Sequence, residues 1–293
     1  MSKQSAYQYI QIAIVLVIFA VSALFLFPPD FLIAKQISNF AIHWMLICLL
    51  AGILALFLNN ELYLFACFIS CGIMAFYLMN SFNTELKISR LASPNSIELL
   101  FANPTLSNDD GKLTLARIIR CNADVVLLEE FTPNWIAEVE AIRSYYPYQI
   151  RIPRADPLGK AILSKYPLLS NTQHEFASNP VLHVALLNKH NDSFQIIVSN
   201  SLPPITMSSF RSLDLFLDSL SAELQKSLSN VILAANFNVV PWSRELRKFR
   251  VQTGLMSSRR DNTDAVSQSG SMDILNVPNM EVYYSGDLEC AGF

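Results

Sequence analysis

Charged side chains are nearly absent from the first part of this sequence. Of its 293 residues, the first 80 include only four charged ones, Lys3, Asp30, Lys35 and Glu61. The remainder has the charge content of an ordinary soluble protein, so the sequence divides into two parts of different character.

Three uncharged runs fill the N-terminal part, at residues 4–29, 36–60 and 62–84. Each contains about 20 strongly apolar residues, which is enough to cross a bilayer core of roughly 30 Å at a rise of about 1.5 Å per residue. A signal peptide followed by buried core helices would need three such runs without a polar face, and no small-residue cleavage site follows the first run. We therefore predict an all-α transmembrane region in residues 1–84, with helices at about 9–28, 40–58 and 62–80.

Other scarce features restrict the function. The five cysteines follow no metal-binding or disulfide spacing, so they are most simply small apolar residues, and a disulfide between Cys121 and Cys290 is the alternative. The net charge of −3 gives no sign of a nucleic acid or an anionic membrane surface as a partner. The chain has only eight glycines, which hints that some tight turns of an active site are missing.

Residues 88–293 are typical of one α/β domain. Amphipathic helical stretches run from Asp109 to near Cys121, from Pro133, and across residues 208–228. Short apolar runs between them predict strands. These are Ile97–Ala102, Asp124–Leu128, Ala161–Leu163, Val181–Leu187, Phe194–Ser199, Val231–Phe237 and Met272–Leu275.

The most informative run is residues 231–238, VILAANFN, followed by Pro241-Trp242-Ser243. It resembles the "ILxGDFN…P(W)S" segment of the endonuclease/exonuclease/phosphatase family, to which DNase I-like nucleases, inositol phosphatases and sphingomyelinases belong. Seven further segments resemble that family in the same order. They are Phe101–Pro104, residues 124–133 (DVVLLEEFTP), Tyr146–Tyr148, residues 159–167 (GKAILSKYP), Asn200–Pro204, and Met272–Ile274 with Gly286–Leu288. The resemblance implies a four-layer α/β sandwich of the DNase I type after the transmembrane helices.

The resemblance also assigns roles to residues of this chain. It implies that Glu130, assisted by Asn103, is the position of a Mg²⁺ ligand in the family. The positions that handle water and phosphate correspond to Asn103, Asn236, Asn238, Asp273 and Asp287. Glu129 and Glu130 form a carboxylate pair that could bind a divalent ion weakly, and Glu129 is equally well interpreted as a solvated or capping side chain.

Three positions depart from the family pattern. Asn200 replaces a His, Asn236 replaces the Asp of "GDFN", and Leu288 replaces the final His. Amides and an aliphatic side chain cannot supply the proton transfer that typically contributes about 10² to 10⁴ in rate. We interpret the site as vestigial, with Mg²⁺ bound weakly or not at all. A catalytic histidine relocated to His174, His183 or His190 is a minor alternative.

These observations predict a membrane-anchored, degenerate enzyme that binds a protein partner or a phosphorylated ligand. The alternative is an active, divalent-metal-dependent phosphoesterase with a rearranged site, and a third interpretation is a structural subunit of a membrane complex. The basic run of Arg244, Arg247, Lys248 and Arg250 indicates a solvated helix face or a contact with phosphate or lipid headgroups. We expect an integral protein of a bacterial inner (plasma) membrane, with the soluble domain extracytoplasmic and without a nucleic-acid partner.

Overall fold

The computed structural model describes residues 3–81, 95–106, 111–226, 229–258 and 280–291. Four helices form the N-terminal part: α1 (Lys3–Leu26), α2 (Leu32–Ile37), α3 (Ala41–Phe57) and α4 (Glu61–Met79). A short 3₁₀ turn links α2 to α3, and α4 packs against both α3 and α1. Three segments are long and apolar enough to cross a membrane, Ala6–Leu26, Leu32–Phe57 and Glu61–Met79.

A polar turn joins α3 to α4 into a hairpin. The Asn60 side chain caps α4 by accepting a hydrogen bond from the backbone N–H of Tyr63 at 3.2 Å. Asn59 adopts a left-handed φ of 51°, which asparagine tolerates better than most residues. The polar pair that interrupts the apolar sequence therefore closes the turn between two antiparallel helices.

The rest of the chain builds two sheets from ten described strands. In chain order these are β1 (Leu99–Ala102), β2 (Val125–Glu129), β3 (Tyr148–Ile152), β4 (Lys160–Ser164), β5 (Leu168–Phe176), β6 (Asn179–Leu187), β7 (Ser193–Asn200), β8 (Val231–Asn236), β9 (Met256–Ser257) and β10 (Met280–Tyr284). The small sheet has the order β1-β2-β4-β3 and the large sheet β5-β6-β7-β8-β10-β9. Only the β1–β2 and β7–β8 pairs are parallel among these strands.

Alternating side chains divide the domain into four layers. One face of each sheet packs against the other sheet, through residues such as Leu127 and Val184. The outer face of the small sheet is covered by α5 (Gly111–Cys121) and α6 (Ile136–Ala141), and that of the large sheet by α7 (Met207–Leu224) and α8 (Arg244–Thr253). The predicted four-layer sandwich behind three apolar helices is confirmed.

Six of the seven predicted strands are observed, with ends shifted by up to two residues. The seventh, Met272–Leu275, lies outside the described residues. The sequence analysis missed β3, β5, β9 and β10, and β5 shows why, since most of its side chains are exposed and polar and no apolar run marks it. All five cysteines are free, so Cys121 and Cys290 form no disulfide.

The loop after β8 joins the domain to one end of the helix bundle. Trp242 is fully buried in a cluster with Phe25 and Tyr77, near the C-terminal ends of α1 and α4. Its indole N–H donates to the carbonyl of Ser38 at 2.7 Å, and the Tyr77 hydroxyl donates to the Trp242 carbonyl at 2.9 Å. Bundle and domain therefore share one hydrophobic cluster.

Candidate functional site

Both sheets present polar side chains at the same edge of the sandwich. Strands β1 and β2 of the small sheet, and β7 and β8 of the large sheet, end there, and β4 begins there because it is antiparallel to β2. Every second residue of a strand faces the space between the sheets, so Glu129 faces the same way as Val125 and Leu127 of β2. By the same alternation, Asn200 and Asn236 are the last inward-facing residues of β7 and β8, and Lys160 is the first of β4.

Glu129 lies at the centre of this cluster. Its Oε1 accepts hydrogen bonds from the side-chain amides of Asn103 at 3.2 Å and Asn236 at 2.8 Å. The side chain is fully buried, and Oε2 has no hydrogen-bond partner among the described residues. Burial raises the pKa of Glu129 to about 7, and the neighbouring charge of Glu130 adds to the increase, while the two amides oppose it.

Lys160 stands opposite Glu129 on the adjacent strand and is also fully buried. Its Nζ donates to the Leu158 carbonyl at 3.0 Å and to the Asn200 side-chain oxygen. Burial lowers the pKa of Lys160 to about 7, against the attraction of the Glu129 charge. The cluster thus contains one acid, one base and neutral amides, and its formal charges cancel when both groups are ionised.

Gly159 allows the loop before β4 to approach β2 this closely. A Cβ atom at Gly159 would lie 2.1 Å from the Phe131 carbonyl oxygen, which is too close for any side chain. The Phe131 N–H donates to the Gly159 carbonyl at 3.0 Å, and the Arg154 N–H donates to the Phe131 carbonyl at 3.1 Å. This backbone contact fixes Lys160 beside Glu129.

The predicted metal position lies next to the cluster. The side-chain oxygen of Asn103 accepts from the backbone N–H and the hydroxyl of Thr105, at 2.9 and 2.7 Å. The same hydroxyl lies 2.5 Å from Oε2 of Glu130, which is half-buried and has a left-handed φ of 51°. An amide, a hydroxyl and a carboxylate oxygen are the donor types that Mg²⁺ prefers.

The charge of this donor set is small. Glu130 is its one carboxylate, and the part of the chain that the structure describes contains no group of three His, Cys, Asp or Glu side chains suited to a metal ion. A Mg²⁺ ion at this position would be held by Glu130, Asn103 and Thr105, and its chemistry would be the neutralisation of phosphate charge. The residues fit such an ion by type but attract it with only one negative charge.

The structure brings Asn103, Asn200, Asn236 and Asn238 together at this edge. Asn238 has a left-handed φ of 54°, donates from its backbone N–H to the Asn236 side-chain oxygen at 3.2 Å, and donates from its amide to the Ser201 carbonyl at 2.7 Å. Its side chain therefore holds the turn after β8. Asp273 lies outside the described residues.

Asp287 and Leu288 do not belong to this cluster, which corrects their assignment to the final motif of the family. The Asp287 carboxylate accepts from the backbone N–H of Asn230, immediately before β8, at 2.8 Å. Strand β10 runs antiparallel to β8, so the chain that follows β10 lies at the start of β8, whereas Asn236 lies at its end. The leucine at position 288 therefore is not the replacement of a histidine at this site.

Sequence reasoning missed two residues of the cluster. The sequence analysis does not identify Lys160, and it leaves Glu129 open between a weak metal ligand and a solvated or capping carboxylate, although both side chains are fully buried. The alternation of Val125, Leu127 and Glu129 would have indicated the inward direction of Glu129. Pairing with Lys160 could not be foreseen, because it depends on the register of β2 against β4.

The three histidines considered as relocated catalytic groups lie elsewhere. His183, in the middle of β6, shares a 2.8 Å hydrogen bond with Gln195. His174, in the exposed strand β5, stacks on Phe176, and His190 lies in the β6–β7 turn. None of these three rings makes a hydrogen bond to the strand-end cluster within the described residues.

A family model described as the endonuclease/exonuclease/phosphatase family matches residues 81–284. The match covers more than half of the chain, and the chain belongs to that family. No curated protein matches the sequence.

Two solved structures illustrate the shared fold. A beta hairpin deletion mutant of beta toxin from Staphylococcus aureus is 15% identical, with a TM-score of 0.50, over 66% of this chain and 88% of that one. TDP2 from D. rerio, complexed with a single strand DNA product, is 10% identical, with a TM-score of 0.51, over 64% of this chain and 83% of that one. At these identities the similarity establishes the fold alone.

Proposed function

We propose that this protein is a membrane-anchored member of the family whose strand-end site binds a protein partner or a phosphorylated ligand without hydrolysing it. The observation that carries the proposal is the enclosure of Glu129. Its carboxylate is fully buried and is held by the amides of Asn103 and Asn236. Asn236 replaces the Asp of the family pattern, and the neighbouring Glu129 cannot act as a general base in its place, because a general base needs contact with the water that it activates.

The other polar groups support the same conclusion. Asn236 uses its amide to bind Glu129, and Asn200 accepts from Lys160 while donating to the Pro157 carbonyl at 2.7 Å. Asparagine has no proton to exchange near neutral pH. At the two positions where the family pattern has Asp and His, this chain therefore has amides engaged in fixed internal contacts.

Membrane anchoring is supported by the three apolar helices and by their contact with the domain. Trp242 lies against the ends of α1 and α4 that are remote from the N-terminus. With three spans, the domain then lies on the opposite side of the membrane from the N-terminus. We propose the extracytoplasmic side of a bacterial inner membrane.

The proposal predicts no hydrolysis. We expect the full chain in lipid nanodiscs to release no more p-nitrophenol from p-nitrophenyl phosphate or its diester, with Mg²⁺ or Mn²⁺, than the variant Glu130→Ala releases. Turnover that is lost in Glu130→Ala but retained in Glu175→Ala, an exposed carboxylate on β5, would refute binding without cleavage.

One observation favours the second candidate, an active metal-dependent phosphoesterase. The hydroxyl of Thr105, which is exposed, lies 2.7 Å from the side-chain oxygen of Asn103 and 2.5 Å from Oε2 of Glu130. This candidate predicts Mn²⁺ binding by calorimetry that disappears in Glu130→Ala and persists in Glu175→Ala. The proposed binding function predicts at most weak binding, in the millimolar range, and a tight site would favour the enzyme.

A further inference from the structure

A groove runs along one face of α4 where the bundle meets the domain. Its volume is about 600 Å³, and Leu26 at the end of α1 forms one side. The floor is the apolar face of α4 that contains Ile69, Gly72, Ile73 and Phe76, which recur at helical spacing. A Cβ atom built on Gly72 meets no atom within 4 Å, so the groove is open at this glycine.

The length of the groove corresponds to one leaflet of a bilayer. It extends from Ile69, in the middle of α4, to Asn80, just after the end of the helix. At about 1.5 Å per residue this distance is about 16 Å, and half of a hydrocarbon core is about 15 Å. An acyl chain of the leaflet next to the domain can therefore lie along the whole floor.

A single positive charge lies at the polar end of the groove. Arg247 of α8 lines it together with Tyr77 and Asn80, and its guanidinium carbon is 5.2 Å from the centre of the Tyr77 ring. Arg247 makes no ion pair with any residue that the structure describes.

Three of the neighbouring charges on α8 are already engaged, and the fourth, Arg244, is exposed and does not line the groove. Glu245 pairs with Lys35 at 2.8 Å, and both side chains are buried. Lys248 pairs with Asp218 at 2.7 Å, and Arg250 donates to the Ser81 carbonyl. Of these cations, Arg247 alone faces the groove with its charge uncompensated by a described residue.

We propose that this groove binds an anionic phospholipid, with one acyl chain along α4 and the phosphate at Arg247. The proposal rests on the insertion of the bundle in a membrane, but not on any property of the strand-end site. Apolar length and positive charge together specify the occupant. An anionic lipid brings only its negative phosphate to the guanidinium, whereas the headgroup of a zwitterionic lipid also brings a second positive charge beside Arg247. The sequence analysis interprets the basic run of α8 as either a solvated face or a contact with headgroups. In this proposal Arg247 contacts the headgroup, and the other basic residues of the run do not.

Native mass spectrometry of the full chain, released from detergent with equal amounts of phosphatidylglycerol and phosphatidylcholine, tests the proposal. We expect preferential retention of phosphatidylglycerol. In Arg247→Gln that preference should fall about fivefold, the ratio equivalent to about 1 kcal/mol per basic residue at an anionic membrane surface. Gly72→Leu should reduce retention of both lipids, since the leucine side chain occupies the groove and its Cβ atom clashes with no protein atom.

Two matched variants serve as controls. Arg143→Gln removes an exposed arginine of the domain, and Ala51→Leu places the same side chain at an exposed position of α3. Equal retention of the two lipids by the wild type, or an unchanged preference in Arg247→Gln, would overturn the proposal. A lipid-free dimer would also overturn it, since a second copy would then cover the groove. Carbonate extraction of cell membranes tests insertion of the bundle separately.

Discussion

Lys160→Met is expected to destabilise the folded chain by about 1–3 kcal/mol, because it leaves the Leu158 carbonyl and the Asn200 side-chain oxygen without their buried donor. For a domain of about 200 residues this loss lowers the midpoint of thermal unfolding by roughly 5 °C. The variant also removes the positive charge that attracts the buried Glu129 carboxylate, and Glu129→Gln removes the other partner of the same attraction. The losses in the double variant should therefore be less than additive, because each single change already removes this attraction. Thermal unfolding of the three variants, followed by tryptophan fluorescence in detergent, measures this coupling.

The pH dependence of the same variants gives an independent readout. Burial raises the pKa of Glu129 from 4.5 to about 7, so the folded chain holds this proton more tightly than the unfolded chain, and the stability that it contributes falls as the pH rises from 4.5 to 7. Burial lowers the pKa of Lys160 from 10.5 to about 7, so its contribution falls as the pH decreases from 10.5 to 7. Glu129→Gln should remove the first slope. Strictly additive single losses would show that the two charges do not interact.

Trp242→Ala is expected to cost about 3–5 kcal/mol and to loosen the domain from the bundle. The indole is fully buried, and the variant loses both its packing and the hydrogen bond to the Ser38 carbonyl. Hydrogen–deuterium exchange should increase in α8, which follows the loop directly, and in the C-terminal turn of α4.

Trp242→Phe is the matched control, because it keeps an aromatic ring in the cluster but loses the N–H donor and the second ring of the indole. We expect it to cost about 1–2 kcal/mol, less than Trp242→Ala, from the lost hydrogen bond and the smaller ring. If hydrogen–deuterium exchange in α8 of Trp242→Ala stays at the wild-type level, the bundle and the domain do not share a hydrophobic core. By the same reasoning, residues 88–293 expressed alone should be less stable than the full chain, since their Trp242 would be exposed.

The apolar pattern predicted much of this fold, for identifiable reasons. Strands β2, β6, β7 and β8 are buried on one or both faces, so their apolar runs mark them in the sequence. Strand β5 lies at a sheet edge and exposes polar side chains, and the charged residue Glu281 interrupts the five residues of β10, so neither strand has a continuous apolar run.

The site was harder to predict than the fold. Short motifs located Asn103, Glu130 and Asn236 because these residues directly follow or end recognisable strands. The same procedure misplaced Asp287, since a three-residue match does not record the direction of the strand that precedes it. The pairing of Glu129 with Lys160 required the register between two strands, which no local pattern contains.

The burial of Trp242 limits how far the strand-end edge can stand from the bilayer. Six residues lead from Asn236, at the end of β8, to Trp242 at the end of the bundle, and even a fully extended chain of that length spans only about 20 Å. With the bundle inserted, a membrane-borne ligand would meet this edge by diffusing in two dimensions within a thin layer, at a high effective concentration. A bulky soluble polymer would have to enter that layer from outside. The short distance between the site and the membrane therefore favours membrane-borne ligands over large soluble ones.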